Sequence, residues 1–366
     1  MQTLKNELTV STPGRVCLFG EHQDYLNLPI IASAISLRIA ITGHKQPDGM
    51  VDIHLPDIGD EERFSLREPV VYGKERDYFK SAVNIMLRHG AKFSSGIDCT
   101  VKGEIPINAG TSSSSALVVA WINFLGHMSD NPANLTPELI AEYAYEAEVL
   151  EFSEPGGMMD QYSTALGGVI FLDSYPVVEV RRLDAGLGKF VLGNSGEPKD
   201  TKFILARVKG QIQRVVAELK KSQSDFSLRT ISESDLDLYA ESLTSEQLEL
   251  LRGTVRNRDI TRQALKALNE TVLDHSLIGK LLNDHQVVLR DALKISTAKI
   301  DGMIQASLDA GAYGAKINGS GGGGCMFAYA PRDPHKVKLA IEDAGGEAYI
   351  VTADEGTRSS KSERER

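Results

Sequence analysis

A segment rich in small residues, Pro106–Ala116, constrains the fold more than any other part of this chain. Before it, Ile97, Cys99 and Val101 alternate with polar residues, which is typical of a half-buried strand. After it, residues 113–128 are apolar on nearly every side, which predicts a buried helix. Small residues between a strand and a helix let bare backbone N–H groups reach an anion at the helix N-terminus. The segment therefore predicts a phosphate-binding loop, although it lacks the Gly-Lys-Ser/Thr of a Walker loop.

The composition of the 366 residues is that of a globular protein, with 42% hydrophobic and 25% charged residues. The formal net charge is −10, so we expect no nonspecific binding to nucleic acid or to acidic membranes. An anionic ligand would need a local positive site, such as a metal ion, an arginine or a helix N-terminus.

The cysteines predict buried free thiols in a reducing compartment, because Cys17, Cys99 and Cys325 are far apart and lack the spacing of a metal site. The first residues do not resemble a signal peptide. No apolar run approaches the ~18 residues that a membrane span needs. We therefore expect a cytoplasmic protein without a membrane partner.

The pattern of apolar and polar residues changes near residue 200. Strand-like patterns and a few helices precede this point, whereas long amphipathic patterns follow it from about Leu205. We expect an N-terminal domain over residues 1–200 and a C-terminal domain over residues 201–354. The tail over residues 355–366 is charged and serine-rich, which predicts disorder.

A cluster of polar residues follows a short apolar run near the start of the chain. Arg15 precedes the run, Gly20 ends it, and Glu21, His22 and Asp24 come next. A buried strand that ends in a polar loop presents ligand-binding groups on a rigid base. Two carboxylates and an imidazole can form several hydrogen bonds with a polyhydroxylated ligand. The alternative interpretation is a solvated turn.

This run, Gly-Arg-Val-x-Leu-x-Gly-Glu-His-x-Asp-Tyr over residues 14–25, resembles the signature of galactokinases. These enzymes belong to the superfamily of galacto-, homoserine, mevalonate and phosphomevalonate (GHMP) kinases. The resemblance implies that Glu21, His22 and Asp24 contact sugar hydroxyls and that Arg15 assists phosphoryl transfer. Residues 26–28, Leu-Asn-Leu, replace a glycine pair of the family and alter the loop beside the sugar.

The small-residue segment resembles the second motif of the same family, Pro-x-Gly-x-Gly-Leu-Ser-Ser-Ser-Ala. Asn108 replaces its first glycine and Thr111 its leucine. Asparagine tolerates left-handed backbone, so the loop can survive the change. The resemblance implies ATP binding by Asn108, Ala109, Gly110, Thr111, Ser112, Ser113 and Ser114. It also implies that Ser114 ligates Mg²⁺; without the family, a serine cluster before a helix is more often a linker or a cap.

Two acidic residues match the family in spacing. Galactokinases carry an Ala-Glu followed at fixed distance by Gly-x-Met-Asp-Gln, and this chain has Glu148 and Asp160 at that separation. The resemblance implies that Glu148 ligates Mg²⁺ and that Asp160 acts at the reacting hydroxyl. The local alternative for Glu148 is a solvated charge, as expected for its neighbours Glu142, Glu146, Glu151 and Glu154.

A third motif, Lys316–Cys325, joins two predicted strands and contains more glycine than a turn requires. The alternative is a flexible hairpin. The resemblance implies that Gly319, Gly321 and Gly322 lie near the nucleotide phosphates. A sugar-contacting tyrosine of the family is missing from the stretch around residues 198–207, where we expect Lys199, Asp200 and Thr201 as alternative pocket residues.

Together the resemblance implies a two-domain α+β fold with the active site in the cleft between domains. It implies transfer of the γ-phosphoryl group of ATP, with Mg²⁺, to the anomeric hydroxyl of galactose or a close relative, so the partners are ATP and a monosaccharide. One alternative is a related kinase of another hexose, a heptose, arabinose or mevalonate. Another is a catalytically silent sugar sensor; such sensors tend to lose the Ser-Ala pair, which this chain keeps at Ser115-Ala116.

Overall fold

Two β-sheets organise the chain, and the computed structural model describes residues 7–66, 70–107, 109–132, 135–198 and 201–361. The strands are β1 (Leu8–Phe19), β2 (Ile30–Gln46), β3 (Met50–Leu55), β4 (Asp60–Ser65), β5 (Gly96–Gly103), β6 (Val169–Asp173), β7 (Glu179–Leu183), β8 (Phe190–Asn194), β9 (Gly314–Ile317), β10 (Cys325–Tyr329), β11 (Glu347–Val351) and β12 (Arg358–Lys361). The helices are α1 (Tyr78–Arg88), α2 (Ser113–Met128), α3 (Pro137–Tyr145), α4 (Met159–Leu166), α5 (Thr201–Ser222), α6 (Ser245–Leu268), α7 (His275–Val287), α8 (Ala298–Asp309) and α9 (Pro334–Asp343). This mixture confirms the predicted α+β class.

The first sheet is built around β2, which is long enough to hold several neighbours. Its order is β12-β1-β2-β5-β3-β4, and β6 pairs with the start of β2 and with β7. The ladders are antiparallel except for β3 with β5. Because β1 and β2 pair along most of their length, the end of β1 and the polar loop after it have a rigid base.

Helices α2 and α4 pack on the first sheet, and α1 and α3 pack against these two helices, so α2, the helix predicted to be apolar on all sides, is buried. Trp121 and Phe124 of α2 are fully buried, and the indole Nε1–H of Trp121 donates to the carbonyl of Phe79 at 3.0 Å. α3 begins where the sequence predicts, with Thr136 as its N-cap and Pro137 in its first turn. A π-helical segment, Glu146–Leu150, continues α3 toward the site.

The second sheet has the order β11-β8-β10-β9, with antiparallel ladders throughout. Helices α5 to α9 all contribute side chains to the apolar core beside it. The expected domain boundary at residue 200 stays a prediction. The chain passes from the first sheet to the second between β7 and β8. The local sequence cannot reveal this, because a short apolar strand such as β8 suits either sheet.

The C-terminal segment corrects the expectation of a disordered tail over residues 355–366. β12 pairs with β1, with Arg358 opposite Ser11 and Lys361 opposite Leu8. Thr357 receives a side-chain hydrogen bond from Thr12 at 2.8 Å and another from Asn123 at 2.9 Å. The polar composition misled the prediction because strand pairing uses main-chain groups, while the β12 side chains are exposed. Residues 362–366 lie outside the described residues.

Strand β1 lies between two apolar cores, since alternate side chains point to opposite faces. Val16 and Leu18 pack in the core beside the second sheet, whereas Cys17 packs in the core beneath α2. The buried free thiols expected for Cys17, Cys99 and Cys325 are confirmed. Among the described helices, none has the length and apolar character required to traverse a bilayer.

Candidate active site

One cavity lies where the loop after β1, the start of α2, the start of α4, the start of α5 and the glycine loop after β9 meet. Its volume of about 280 Å³ is near the lower end of the range for small-molecule sites. Most sequence-predicted site residues line it: Arg15, Glu21, His22, Asp24, Gly110, Ser112, Ser113, Ser114, Glu148, Asp160 and Gly319. Residues from three distant motifs therefore share one cavity.

Arg15 and Asp160 form an ion pair at the centre of this cavity. Nε and Nη2 of Arg15 both lie 2.8 Å from Oδ1 of Asp160. The third guanidinium nitrogen, Nη1, donates to the carbonyl of Gly110 at 2.6 Å. Burial opposes the charge of Arg15, but attraction to Asp160 and Glu21 outweighs it and raises the pKa of the guanidinium. Asp160 lies in the first turn of α4, where the helix dipole favours a negative charge.

Asp24 lies beside Asp160 and caps the N-terminus of α4. Its Oδ2 accepts the N–H of Met159 at 3.3 Å, and its Oδ1 accepts the N–H of Tyr25 at 2.9 Å. Burial, together with the charge of Asp160, raises the pKa of Asp24 to about 6, although these two hydrogen bonds act in the opposite direction. Asp24 is therefore mostly ionised at neutral pH, and it takes up a proton in mild acid.

His22 has a defined tautomer in the neutral state. Its Nε2 lies 3.1 Å from the carbonyl oxygen of Ser320, which can only accept, so Nε2 carries the hydrogen. Its Nδ1 lies 2.7 Å from the hydroxyl of Tyr25 and accepts from it when the ring is neutral. Tyr25 and Ser320 also line the cavity. The histidine thus orients the tyrosine hydroxyl.

Glu21 lines the cavity, but its carboxylate is occupied by protein groups. One oxygen pairs with Nζ of Lys316, and the other accepts the N–H of Gly319. Glu21 and Lys316 are both almost completely buried. The geometry gives no support to the predicted contact between Glu21 and a sugar hydroxyl, which stays untested.

The serine segment forms the N-terminus of α2. Ser112 has φ +60°, a left-handed conformation, and Ser113 begins the helix. Ser114 is exposed to the cavity, whereas Ala109 and Thr111 are buried and do not line it. The carbonyl of Thr111 instead accepts the N–H of Arg15 at 3.1 Å. Asn108 lies outside the described residues.

Glu148 is a buried carboxylate at the same end of the cavity. It accepts a hydrogen bond from Nε2 of Gln161 at 2.6 Å. Burial raises the pKa of Glu148, while hydrogen bonds from Ser115, Ser114 and Gln161 oppose this shift. Within the described residues, Oγ of Ser112 and Oε1 of Gln161 are buried without a protein partner.

The oxygen atoms of these side chains would suit a magnesium ion that is held mainly by the phosphates of a nucleotide. Mg²⁺ takes oxygen ligands and is held by one or two carboxylates together with substrate phosphates. Glu148 supplies a carboxylate, Ser114 a hydroxyl, and Gln161 an unsatisfied amide oxygen close by. The described residues contain no cluster of three or more His, Cys, Asp or Glu side chains that could hold a metal alone.

The glycine loop packs directly on the serine segment. Gly319 has φ +79°, and a Cβ there would lie 2.7 Å from the carbonyl oxygen of Gly110, so only glycine fits. Asn318 Nδ2 donates to the same carbonyl at 2.8 Å. Gly321 and Gly322, predicted to bind ATP, do not line the cavity; they pack against Ile295 and Ile204.

Sequence reasoning missed several residues that shape the site. Gln161 and Tyr25 adjoin predicted residues in the motifs, so adjacency alone could have found them. Ser320 lies between the predicted residues Gly319 and Gly321, so adjacency could have found it as well. Lys316 begins the third motif, but nothing local indicates its contact with Glu21, which is 295 residues away. Of the three alternative pocket residues that the sequence predicts, Thr201 lines the cavity, while Lys199 and Asp200 lie outside the described residues.

Three segments of the chain match models of known protein families. Residues 77–168 match the model of the GHMP kinases N terminal domain, residues 263–347 match GHMP kinases C terminal, and residues 2–45 match the galactokinase galactose-binding signature. A mevalonate kinase of Thermococcus sibiricus is 29% identical over 355 residues, covering 93% of this chain and 94% of the relative. A galactokinase of Actinobacillus succinogenes is 27% identical over 346 residues, covering 89% and 86%.

The fold is also that of a solved galactokinase. The crystal structure of the Lactococcus lactis galactokinase complexed with galactose superposes with a TM-score of 0.83 at 22% identity, covering 96% of this chain and 95% of the other. The matched family models cover both halves of the chain and include the motifs that meet in the cavity. The chain therefore belongs to the GHMP kinases, a family of phosphotransferases, and carries the galactokinase galactose-binding signature.

Proposed function

We propose that this protein transfers the γ-phosphoryl group of ATP to the anomeric hydroxyl of galactose or a closely related sugar, giving the sugar 1-phosphate. The observation that carries the proposal is the position of Asp160. Its carboxylate is held 2.8 Å from Arg15 in a cavity that it shares with Asp24 and the start of α2. The galactose-binding signature over residues 2–45 supports the choice of sugar.

Asp160 is suited to accept the proton of the reacting hydroxyl. Oδ1 takes both hydrogen bonds from Arg15, which leaves Oδ2 for the substrate. A carboxylate held in this way orients the hydroxyl and takes up its proton as the phosphoryl group is transferred. Arg15 lies next to the position where charge develops on the transferring group and stabilises it.

The nucleotide phosphates are assigned to the start of α2. The N–H groups at a helix N-terminus favour an anion, and the hydroxyls of Ser112, Ser113 and Ser114 add donors. Magnesium bound by Glu148 and Ser114 would neutralise phosphate charge there. The unpartnered Ser112 hydroxyl supports this assignment, because a buried donor without a partner costs stability unless a ligand satisfies it.

The acceptor end of the cavity suits a neutral polyol. Asp24, Tyr25 and the Thr201 hydroxyl all line it. Sugar hydroxyls both donate and accept, so they match this mixture of groups. The carboxylates of Asp24 and Asp160 disfavour an acceptor that carries a negative charge of its own.

The second candidate is a mevalonate kinase, which the 29% identical relative favours. Mevalonate carries a carboxylate and needs a cation. Among the described lining residues, the arginines and lysines are already paired: Arg15 with Asp160, Arg76 with Glu154 at 2.6 Å, and Lys202 with Glu75 at 3.0 Å. The cavity therefore favours the sugar.

A substrate panel tests the proposal. The purified protein is assayed with Mg²⁺ and ATP for ADP release on galactose, other hexoses, arabinose, a heptose and mevalonate, and ³¹P NMR locates the phosphate. We expect the highest kcat/KM with galactose or an epimer, and phosphate on the anomeric oxygen. Faster turnover of mevalonate than of any sugar, or no ADP release with any acceptor, would contradict it.

A further inference from the structure

Glu21 and Lys316 form a buried ion pair between two motifs that are far apart in sequence. Their side chains are 2% and 0% exposed. Lys316 Nζ also donates to the carbonyl of Cys17 at 2.9 Å, and its charge lies 5.0 Å from the centre of the Phe327 ring. The pair therefore connects the end of β1 with the strand that leads into the glycine loop.

The second oxygen of Glu21 holds the glycine loop itself, through the N–H of Gly319. This loop in turn holds the serine segment, because Asn318 donates to the carbonyl of Gly110 at 2.8 Å and the N–H of Cys325 donates to the carbonyl of Ala109 at 2.7 Å. The backbone around residues 109–110 is thus fixed by a loop whose first glycine is bound to Glu21.

The same loop reaches the acceptor end of the cavity. The carbonyl of Ser320, next to Gly319, accepts a hydrogen bond from Nε2–H of His22. This bond sets the tautomer in which Nδ1 accepts a hydrogen bond from the Tyr25 hydroxyl. A displacement of the glycine loop would therefore disturb both ends of the cavity. A carboxylate that only bound sugar would affect the acceptor end alone.

We propose that Glu21 is a positioning residue that acts through Lys316 and Gly319, and that it controls nucleotide binding as well as acceptor binding. The inference rests on the proposed function, since it places the nucleotide phosphates on the serine segment. It differs from the role implied by the galactokinase resemblance, in which the glutamate contacts the sugar directly. Both carboxylate oxygens of Glu21 are already used by protein donors.

Calorimetric titration with ADP and Mg²⁺, in the absence of any sugar, tests this role. We expect Glu21→Gln to weaken ADP binding at least tenfold, and Asp24→Asn, the matched change in the same loop, to leave it within twofold of wild type. If Glu21→Gln bound ADP like wild type while the KM for the sugar rose, the positioning role would be wrong. If the wild-type protein bound no ADP, the proposed function would fail instead.

Glu21→Gln leaves the buried Lys316 without its counter-charge and can destabilise the fold for that reason alone. A double variant controls for this effect. Adding Lys316→Met removes that charge. We expect the double variant to melt closer to wild type than Glu21→Gln does and to recover part of the ADP affinity. No recovery in a folded double variant would contradict an action through Lys316.

Hydrogen exchange gives a readout that needs no ligand. In the folded double variant, the peptide spanning residues 317–325 should exchange at least fivefold faster than in wild type, while peptides of α8 stay unchanged. Unchanged exchange in the loop would overturn the proposal, since the loop would then not depend on Glu21.

Discussion

The carboxylate of Asp24 lies directly over Gly157, so closely that a Cβ at residue 157 would be 2.2 Å from Oδ2 of Asp24. Two segments that are more than 130 residues apart are thus in contact through the absence of a side chain. The contact places the Asp24 carboxylate against the start of α4 at Met159, one residue before Asp160. The φ of Gly157 is not in the left-handed range, so its backbone conformation does not require glycine. The close approach of Asp24 does.

Gly157→Ala should displace Asp24 and damage acceptor binding. A shift of about 1 Å in a substrate-positioning group can cost about 100-fold in rate, so we expect kcat/KM for the sugar to fall by about that factor. Gly156→Ala is the matched control, because none of the described atoms lies within 4 Å of a Cβ built there. Steady-state kinetics of both variants check the prediction; equal losses would show that the Asp24 contact is unimportant.

Sugar binding should weaken in mild acid. The pKa of Asp24 is raised to about 6, so the carboxylate that accepts sugar hydroxyls takes up a proton as the pH falls through 6. At pH 5 only about a tenth of Asp24 would be ionised, so we expect about tenfold weaker sugar binding than at pH 7. Sugar titrations without nucleotide measure this directly. Asp24→Asn should bind weakly at both pH values, and an equally steep pH dependence in that variant would point to another group.

The same group should affect stability with a defined sign. In the unfolded chain Asp24 titrates near its ordinary value of about 4, so between pH 4 and 6 the folded protein holds more protons and its free energy of unfolding falls as pH rises. The difference in unfolding free energy, Asp24→Asn minus wild type, should therefore grow by about 1–2 kcal/mol between pH 4 and 7, after allowance for partial exposure. Urea unfolding at both pH values measures it, and a difference that shrinks would show the opposite shift.

Local sequence was sufficient for features that depend on near neighbours. The all-round apolar pattern around Trp121 predicts the buried helix, Thr136-Pro137 predicts a helix start, and the strands on either side of Lys316–Cys325 form the expected antiparallel pair. The family resemblance brought Arg15 and Asp160 to one site. Apart from this pairing, which no local pattern indicates, the predictions rest on periodicity, capping or a compact motif.

Features that depend on distant partners could not be predicted. Nothing near Glu21 indicates that Lys316 will take its carboxylate, and nothing in the polar composition of residues 358–361 indicates that their backbone will pair with β1. The long amphipathic patterns after about Leu205 do not show where one helix ends and the next begins; α6 ends at Leu268 and α7 begins at His275. Which elements meet is decided by packing across the whole chain, and local propensity carries little of that information.

Asp160→Asn should abolish turnover and spare nucleotide binding. The amide keeps the shape of the side chain and can still accept from Arg15, but it cannot take up the proton of the hydroxyl. General-base catalysis contributes about 10²–10⁴-fold, so we expect kcat to fall by about 10³-fold. ADP affinity should stay within threefold of wild type. A kcat within tenfold of wild type in a correctly folded variant would remove Asp160 from its proposed role.

Glu148→Gln should raise the magnesium requirement. The change keeps the hydrogen-bonding shape next to Gln161 but removes the charge that Mg²⁺ prefers among protein ligands. We expect the Mg²⁺ concentration for half-maximal activity to rise at least tenfold. Electron paramagnetic resonance of Mn²⁺ in the presence of ADP should show a correspondingly weaker affinity of the variant for the metal. Glu142→Gln is the control, since Glu142 is exposed on the same helical stretch and does not line the cavity. Identical metal titrations for the two variants would assign the metal to other oxygens. Loss of the charge of a metal ligand should weaken metal binding, whereas loss of the charge of the solvated Glu142 should not.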